Sequence, residues 1–468
     1  MSTRRQDDTL DMQAGQDSLE MQAGKQIGAS RARGRDAFRP RAPRTESGRR
    51  LMVLVLATAV GVFLATVPLH RDWFDLRVYY GAVGEWVHHG GGIYDYRVPG
   101  TTYGFTYPPF AAVTMLPMAL LGLRTAIAVG LLLNIAAALA VLYVLAAPVL
   151  RRHGGHGWLG FAVLGCLLAL FEPVRDTFSF GQVNLLLLAL VLGDAWLLAG
   201  AARGRARWAG VGIGLAAAVK LTPALFIGLL LLARRPRAAA VATGVAAGGT
   251  ALAAWAAPDA SRFYWTEALR DTDRIGQLAY VSNQSLQGVL ARLAQPAEPD
   301  RVVWASAVVA VLCLWAWRAS RALRSGDTMA AFALTGLAAC LVSPITWVHH
   351  LVWLLPALAV LADAGLRHAP GTGARRRLLA TAGTVYAVLC SSVVWLWYDD
   401  ASGVDGFLGS NIYVWITLGL LLGLPVRQDS PNGVRFAAAE GFTAAEGTPP
   451  AGSRPSSPRT SGSRAAPQ

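Results

Sequence analysis

Few side chains in this 468-residue chain can move a proton or hold an anion beside apolar sequence, and they are widely spaced. Asp75 stands just after the first apolar run, in HRDWFDLRVYYGAVG. A carboxylate there can take a proton or a hydrogen bond from a hydroxyl at a membrane surface. The alternative is that it caps an amphipathic helix over 76–88. Lys220 is one of two lysines, the other being Lys25, and it interrupts the apolar stretch GLAAAVKLTPALF. A charge in such a stretch is costly and functional by default, and a compact ammonium suits a phosphate oxygen. Its competing role is an ion pair with Asp194 or Asp363. His349 and His350, in SPITWVHHLVWLLP, point different ways on a helix, so the pair alone does not make a two-ligand metal site. One histidine facing a cavity as base or hydrogen-bond donor is the functional reading, and a structural role is the other. The segment 171–184 supplies Glu172, Arg175, Asp176, Gln182 and Asn184. Amides at 182 and 184 can donate to hydroxyls or phosphate, or cap the helix that follows. Tyr107, in FTYPP, suits a sugar pocket or an interfacial aromatic belt.

Two motif matches carry little weight. Asn283-Gln284-Ser285 fits a glycosylation sequon, which is common by chance. Asp271-Thr272-Asp273 has a DxD form, but no αβ alternation accompanies it. The four cysteines (Cys166, Cys313, Cys340 and Cys390) lie in apolar segments without metal or disulfide spacing. No metal site is expected.

The elements that must position these residues are membrane spans. Hydrophobic residues make up 54% of the chain and charged ones 15%, against roughly 25% charged in soluble domains. The apolar residues gather into runs of about 20, the length that crosses the hydrocarbon layer. This excludes a soluble enzyme, a secreted disulfide scaffold and a disordered protein. The net charge of +14 comes from arginines clustered between apolar runs, as cytoplasmic loops require, and does not signal nucleic-acid binding. Residues 1–50 read as a disordered, Arg-rich cytoplasmic tail able to touch anionic lipid, 51–427 as the transmembrane domain, and 428–468 as a disordered tail.

About ten to twelve membrane segments fit within 51–427, with both termini cytoplasmic. Twelve full crossings would place several arginine clusters outside. They return inside if 110–122 and 207–233 dip in and come back. The first is short and holds Pro117; the second is interrupted by Lys220 and Pro223 and reads as two half-helices. Both arrangements leave Asp75, 258–301, 344–350 and 398–410 on the outer side.

Six segments, in order, carry a family likeness: DLRVYYGAVG (75–84), GIYDY with FTYPPFAA (92–112), GQVNLLLLAL (181–190), GLAAAVKLTPALF (214–226), SNQSLQG (282–288) and SPITWVHHLVWLLP (343–356). Together they resemble glycosyltransferase family 87, whose members include polyprenol-phosphate-mannose-dependent α-1,2-mannosyltransferases. The resemblance spans about residues 50–425. It implies an all-α, GT-C-type multispanning helical enzyme of the cell membrane with an extracytoplasmic active site. The implied donor is a lipid-linked sugar such as polyprenyl-phosphate mannose, with no cofactor, and the acceptor is a glycolipid or glycan. The likeness assigns Asp75 and the His349/His350 pair to catalysis and matches Lys220 to a family lysine before a proline. Arg175, Gln182, Asn184 and Tyr107 complete the expected donor site. Thr346 departs mildly from an expected serine. Transfer is expected to be inverting and metal-independent. A transferase for another polyprenyl-phosphate sugar (glucose, galactose or arabinose) would share these features. A multispanning lipid or sugar transporter would share the spans but should carry internal repeats.

Overall fold

A computed structural model describes residues 45–67, 72–153, 157–199 and 206–427. Helix α1 (Glu46–Thr66) begins before the expected Leu51, because the Thr45 hydroxyl accepts from the Gly48 N–H at 3.1 Å and caps it. Arg49 and Arg50 therefore ride on its first turn rather than in a tail. The rest of the first tail and all of the last lie outside the described residues. There follow α2 (Phe74–His88), α3 (Pro109–Met115) with a 3-10 turn at Leu116–Leu120, α4 (Leu123–Arg152), α5 (Gly157–Leu170), α6 (Glu172–Phe180), α7 (Asn184–Leu198), α8 (Val211–Val219) and α9 (Leu225–Leu232). The second half holds α10 (Pro236–Ala256), α11 (Pro258–Phe263), α12 (Leu286–Ala294), α13 (Arg301–Arg324), α14 (Thr328–Val342), a 3-10 segment at Val348–Leu354, α15 (Leu355–Arg367), α16 (Gly373–Cys390), α17 (Gly403–Gly409) and α18 (Ile412–Gly423). Among the described residues there is no strand, only a bridge between Arg97 and Gly104.

Five of these helical units are long and apolar enough to cross a membrane: α1, α4, α10, α13 and the continuous unit Val348–Arg367. Two bent pairs, α5 with α6 (68°) and α17 with α18 (56°), bring the number to seven, and four shorter apolar helices accompany them. The chain is an all-α multispanning membrane protein.

Burial sorts the helices by what they face. On α1 only Val60 is buried, as expected of an apolar helix surrounded by lipid. On α14 every residue from Ala330 to Leu341 is buried. Its alanines and Gly336 let α13, α15 and α18 pack closely around it. The expected interruption at Lys220 is present. α8 stops at Val219, Lys220 is extended (φ −148°, ψ 131°), and a 3-10 turn at Thr222–Ala224 leads into α9. Pro223 removes one backbone donor. In a bilayer such a break is tolerated only inside protein or along a cavity. The 110–122 stretch is likewise broken, at Leu116.

Candidate active site

The site begins where α2 meets the end of α6. Trp73, which precedes α2, has φ +50°, a left-handed conformation that costs a bulky residue about 1–3 kcal/mol. Its N–H donates to the Ser179 carbonyl at 3.1 Å, tying the start of α2 to α6. Gly181 ends α6 with φ +68°, and a Cβ there would lie 2.6 Å from the Leu76 Cβ. Only glycine allows both the turn and this approach. The approach sets Gln182 beside Asp75, whose carboxylate accepts a side-chain hydrogen bond from it. Asp75 does not cap α2: Trp73 holds the cap position, without a side-chain bond. Burial pushes the Asp75 carboxyl up to about 6, against the lowering effects of the Gln182 hydrogen bond and of Lys220 when charged.

From Asp75 a polar chain runs inward. Gln182 Oε1 accepts from the Tyr107 hydroxyl at 2.8 Å and from Asn184 Nδ2 at 3.2 Å. The Tyr79 hydroxyl donates to Tyr107 at 3.1 Å. Burial and the Asp75 charge push the Tyr107 phenol up, so it stays protonated and keeps donating. Lys220 Nζ donates to Asn184 Oδ1 at 3.0 Å, lies 5.0 Å from the centre of the Tyr107 ring, and sits 2.7 Å from His350 Nε2. The acids expected as alternative partners are engaged elsewhere. Asp194 accepts from the Ile213 N–H at the start of α8, and Asp363 is held by Arg152 and Arg367.

The far end of the chain constrains protons. The Trp347 N–H donates to His350 Nδ1 at 3.1 Å. A neutral imidazole accepting there must carry its proton on Nε2, facing Lys220. Lys220 accepts that proton as an uncharged amine; if charged, either it leaves Nε2 or the imidazole turns and releases Trp347. A charged Lys220 donating to His350 Nε2 is therefore incompatible with the His350–Trp347 contact. His349 is buried, touches Phe180 and packs edge-on against His350, and its Nε2 has no hydrogen-bond partner. A small cavity lined by Asn184, Lys220, Cys340, Thr346, His350 and Trp353 opens beside the lysine. Among the described residues no three His, Cys, Asp or Glu side chains converge as metal ligands. Asp271 of the DxD sequence accepts from the Asp273 N–H within an exposed turn.

The combination of a carboxylate, a phenol, amides, an amine and an imidazole in one polar chain occurs within a recognisable sequence. The chain matches the model of glycosyltransferase family 87 over residues 105–344. A polyprenol-phosphate-mannose-dependent α-(1-2)-phosphatidylinositol mannoside mannosyltransferase from Mycobacterium tuberculosis is 34% identical over 353 residues, 70% of this chain and 80% of that protein. The chain belongs to glycosyltransferase family 87. A protein of the same description from Mycolicibacterium smegmatis is 38% identical over 324 residues, 64% of this chain and 68% of its own. A pentamannoside mannosyltransferase from Mycobacterium tuberculosis is 34% identical over 335 residues, 69% and 74%. No solved structure matches.

The family 87 match contains Tyr107, Arg175, Gln182, Asn184 and Lys220, and leaves Asp75, His349 and His350 outside its limits. The fold joins these residues across that boundary, with one exception. Arg175 turns away, donating to the Cys390 carbonyl at 3.0 Å and the Ser392 hydroxyl at 3.1 Å, with Phe63 against its guanidinium. Nearby Glu172 accepts from Trp395 and from the Tyr413 hydroxyl. This part of 171–184 ties α6 to α16 and α18, while its last three residues serve the polar chain.

Sequence reasoning passed over one set of supports. Asn283 is fully buried, so its amide cannot accept a glycan. Its Oδ1 accepts from the Thr346 N–H at 2.9 Å and its Nδ2 donates to the Pro344 carbonyl at 3.2 Å. Ser285 donates to the same carbonyl, and the Ser282 hydroxyl accepts from the Val348 N–H. The SNQS loop thus staples the segment that presents His350. The available signal was the SNQSLQG segment itself, which carried the family likeness without an assigned role.

Proposed function

We propose that this family 87 protein transfers mannose from a polyprenyl-phosphate carrier to a glycolipid or glycan acceptor. The observation that carries the reading is the polar chain from Asp75 to Lys220 and His350, with a carboxylate at one end and a nitrogen pair beside a cavity at the other. The names of the relatives supply the donor, and a phosphatidylinositol mannoside is the first acceptor to try.

In this reading Asp75 takes the proton of the acceptor hydroxyl as its oxygen bonds to the anomeric carbon. The bond from that carbon to the phosphate oxygen breaks, and the phosphate leaves with the electron pair. Lys220 and His350 receive the negative charge that collects there. Tyr107, Gln182 and Asn184 position the two ends. A single displacement inverts the anomeric centre, so a β-linked donor gives an α-linked product. Neither metal nor cofactor takes part. The site faces the extracytoplasmic side and both termini are cytoplasmic, an orientation supported by the arginine clusters between the spans.

The test is transfer by the purified full-length protein in detergent with a panel of polyprenyl-phosphate sugars. Mannose should move to a phosphatidylinositol mannoside, EDTA should leave the rate unchanged, and Asp75→Asn should abolish it. Preference for glucose, galactose or arabinose would reassign the donor, and failure to transfer any sugar would favour a transporter.

A further inference from the structure

We propose that the sugar end of the acceptor binds against an arc of aromatic side chains running from beside Asp75 to beside His350, formed by Phe74, Tyr103, Trp347, Tyr280 and Tyr398. The inference rests on the proposed transfer reaction and adds where its second substrate is held.

Three ring contacts and one intervening glycine lay out the arc. Phe74, adjoining Asp75, meets Tyr103 edge-on with ring centres 5.9 Å apart. Gly276 lies between Tyr103 and Trp347. A Cβ there would come within 3.7 Å of the Tyr103 ring and 3.1 Å of Trp347, and its φ of +144° also favours glycine. Trp347, whose N–H engages His350, meets Tyr280 edge-on at 5.9 Å. Tyr280 in turn meets Tyr398 at 6.0 Å, and Trp395 backs both.

The rings are assembled against one another yet accessible. Tyr103 is 40% exposed, Tyr280 36% and Tyr398 59%. Anchors of a bilayer interface have no reason to link the two ends of a polar site. A sugar fits this surface because it is itself two-sided. Its C–H face packs on the electron-rich face of an aromatic ring, and its hydroxyls pair with phenols. Burial and the neighbouring phenols of Tyr398 and Tyr103 push the Tyr280 hydroxyl up to about 12, which keeps it a donor. The wall holds no charged ring, which suits a neutral glycan.

The experiment uses purified full-length protein, polyprenyl-phosphate mannose and octyl α-mannoside as acceptor probe. Tyr280→Ala and Tyr398→Ala should each raise the acceptor KM about tenfold, the size of one lost aromatic contact, and leave the donor KM unchanged. Tyr280→Phe should stay within about threefold of the parent. Binding of octyl α-mannoside, followed by tryptophan fluorescence without donor, should weaken in parallel. Binding that weakens in the variants while the parent transfers no mannose would uphold the arc and remove the transfer reading. An unchanged acceptor KM and unchanged mannoside binding in the double Tyr280→Ala/Tyr398→Ala variant would overturn the arc.

Discussion

Replacing Gln182 with Leu should move the acid limb of the pH–rate profile upward without lowering the rate at high pH to the same degree. Asp75 acts as a base only when ionised, and its folded carboxyl titrates at about 6 because burial outweighs the Gln182 hydrogen bond. A hydrogen bond to a charged group contributes about 1.5–3 kcal/mol. At 1.36 kcal/mol per pH unit, its loss raises the midpoint by about one to two units. With a one-and-a-half-unit rise, about three quarters of the parent carboxyls but only about a tenth of the variant's are ionised at pH 6.5. The donor is a phosphodiester with a fixed charge, so it adds no titration of its own in this range. Transfer rates measured from pH 5 to 9 should therefore differ most near 6.5 and draw together near 9. A limb that stays at about 6 in Gln182→Leu, or a parent profile without an acid limb, would refute the assignment of Asp75 as base.

The same shift makes a stability prediction. A carboxyl raised from 3.8 to about 6 on folding binds its proton more tightly in the native state, so stability is lost as pH rises from about 4 to 6, by at most about 3 kcal/mol. Asp75→Asn should abolish transfer yet melt no lower than the parent at pH 7, as circular dichroism would show. Lys220→Met should cut kcat/KM for donor by about a hundredfold or more with insertion intact, and Lys220→Arg should rescue poorly, since a planar fork does not fit beside Asn184 and His350. His350→Ala should cost more than His349→Ala in single-turnover transfer, because only His350 contacts Lys220 in the polar chain; the reverse order would move the role to His349. In a background lacking the four cysteines, Thr101→Cys and Ala297→Cys, both exposed, should react with an impermeant thiol reagent in intact cells. Arg207→Cys should be protected if α8 and α9 form a re-entrant pair.

Much of this architecture was legible because the apolar runs and their interruptions are local properties. The α8–α9 break is written in Lys220 and Pro223, and Asp75, Lys220 and the histidines stand out as polar groups where hydrocarbon is expected. The partners were not legible, because each contact crosses long stretches of chain. Lys220 meets His350 across 130 residues, and Tyr107 meets Gln182 across 75. Periodicity cannot choose between neighbouring histidines either; that choice follows from the Trp347 amide and the SNQS loop that places it. The partners of Arg175 were hidden for the same reason. It was expected at the donor site, and its partners in the fold are two groups more than 200 residues away.

The two contacts made by the His350 imidazole, with Lys220 and with the Trp347 amide, bear on the order of events. A phosphate entering beside Lys220 favours the charged amine, which either leaves His350 Nε2 or makes the imidazole turn and release the Trp347 amide. Trp347 is also the middle of the aromatic arc, one 3-10 turn from that imidazole. Donor arrival would thus act on the backbone that carries one ring of that arc. Mannoside affinity should therefore differ between the donor-free and the donor-loaded protein, with the carrier lipid favoured as the first substrate to bind.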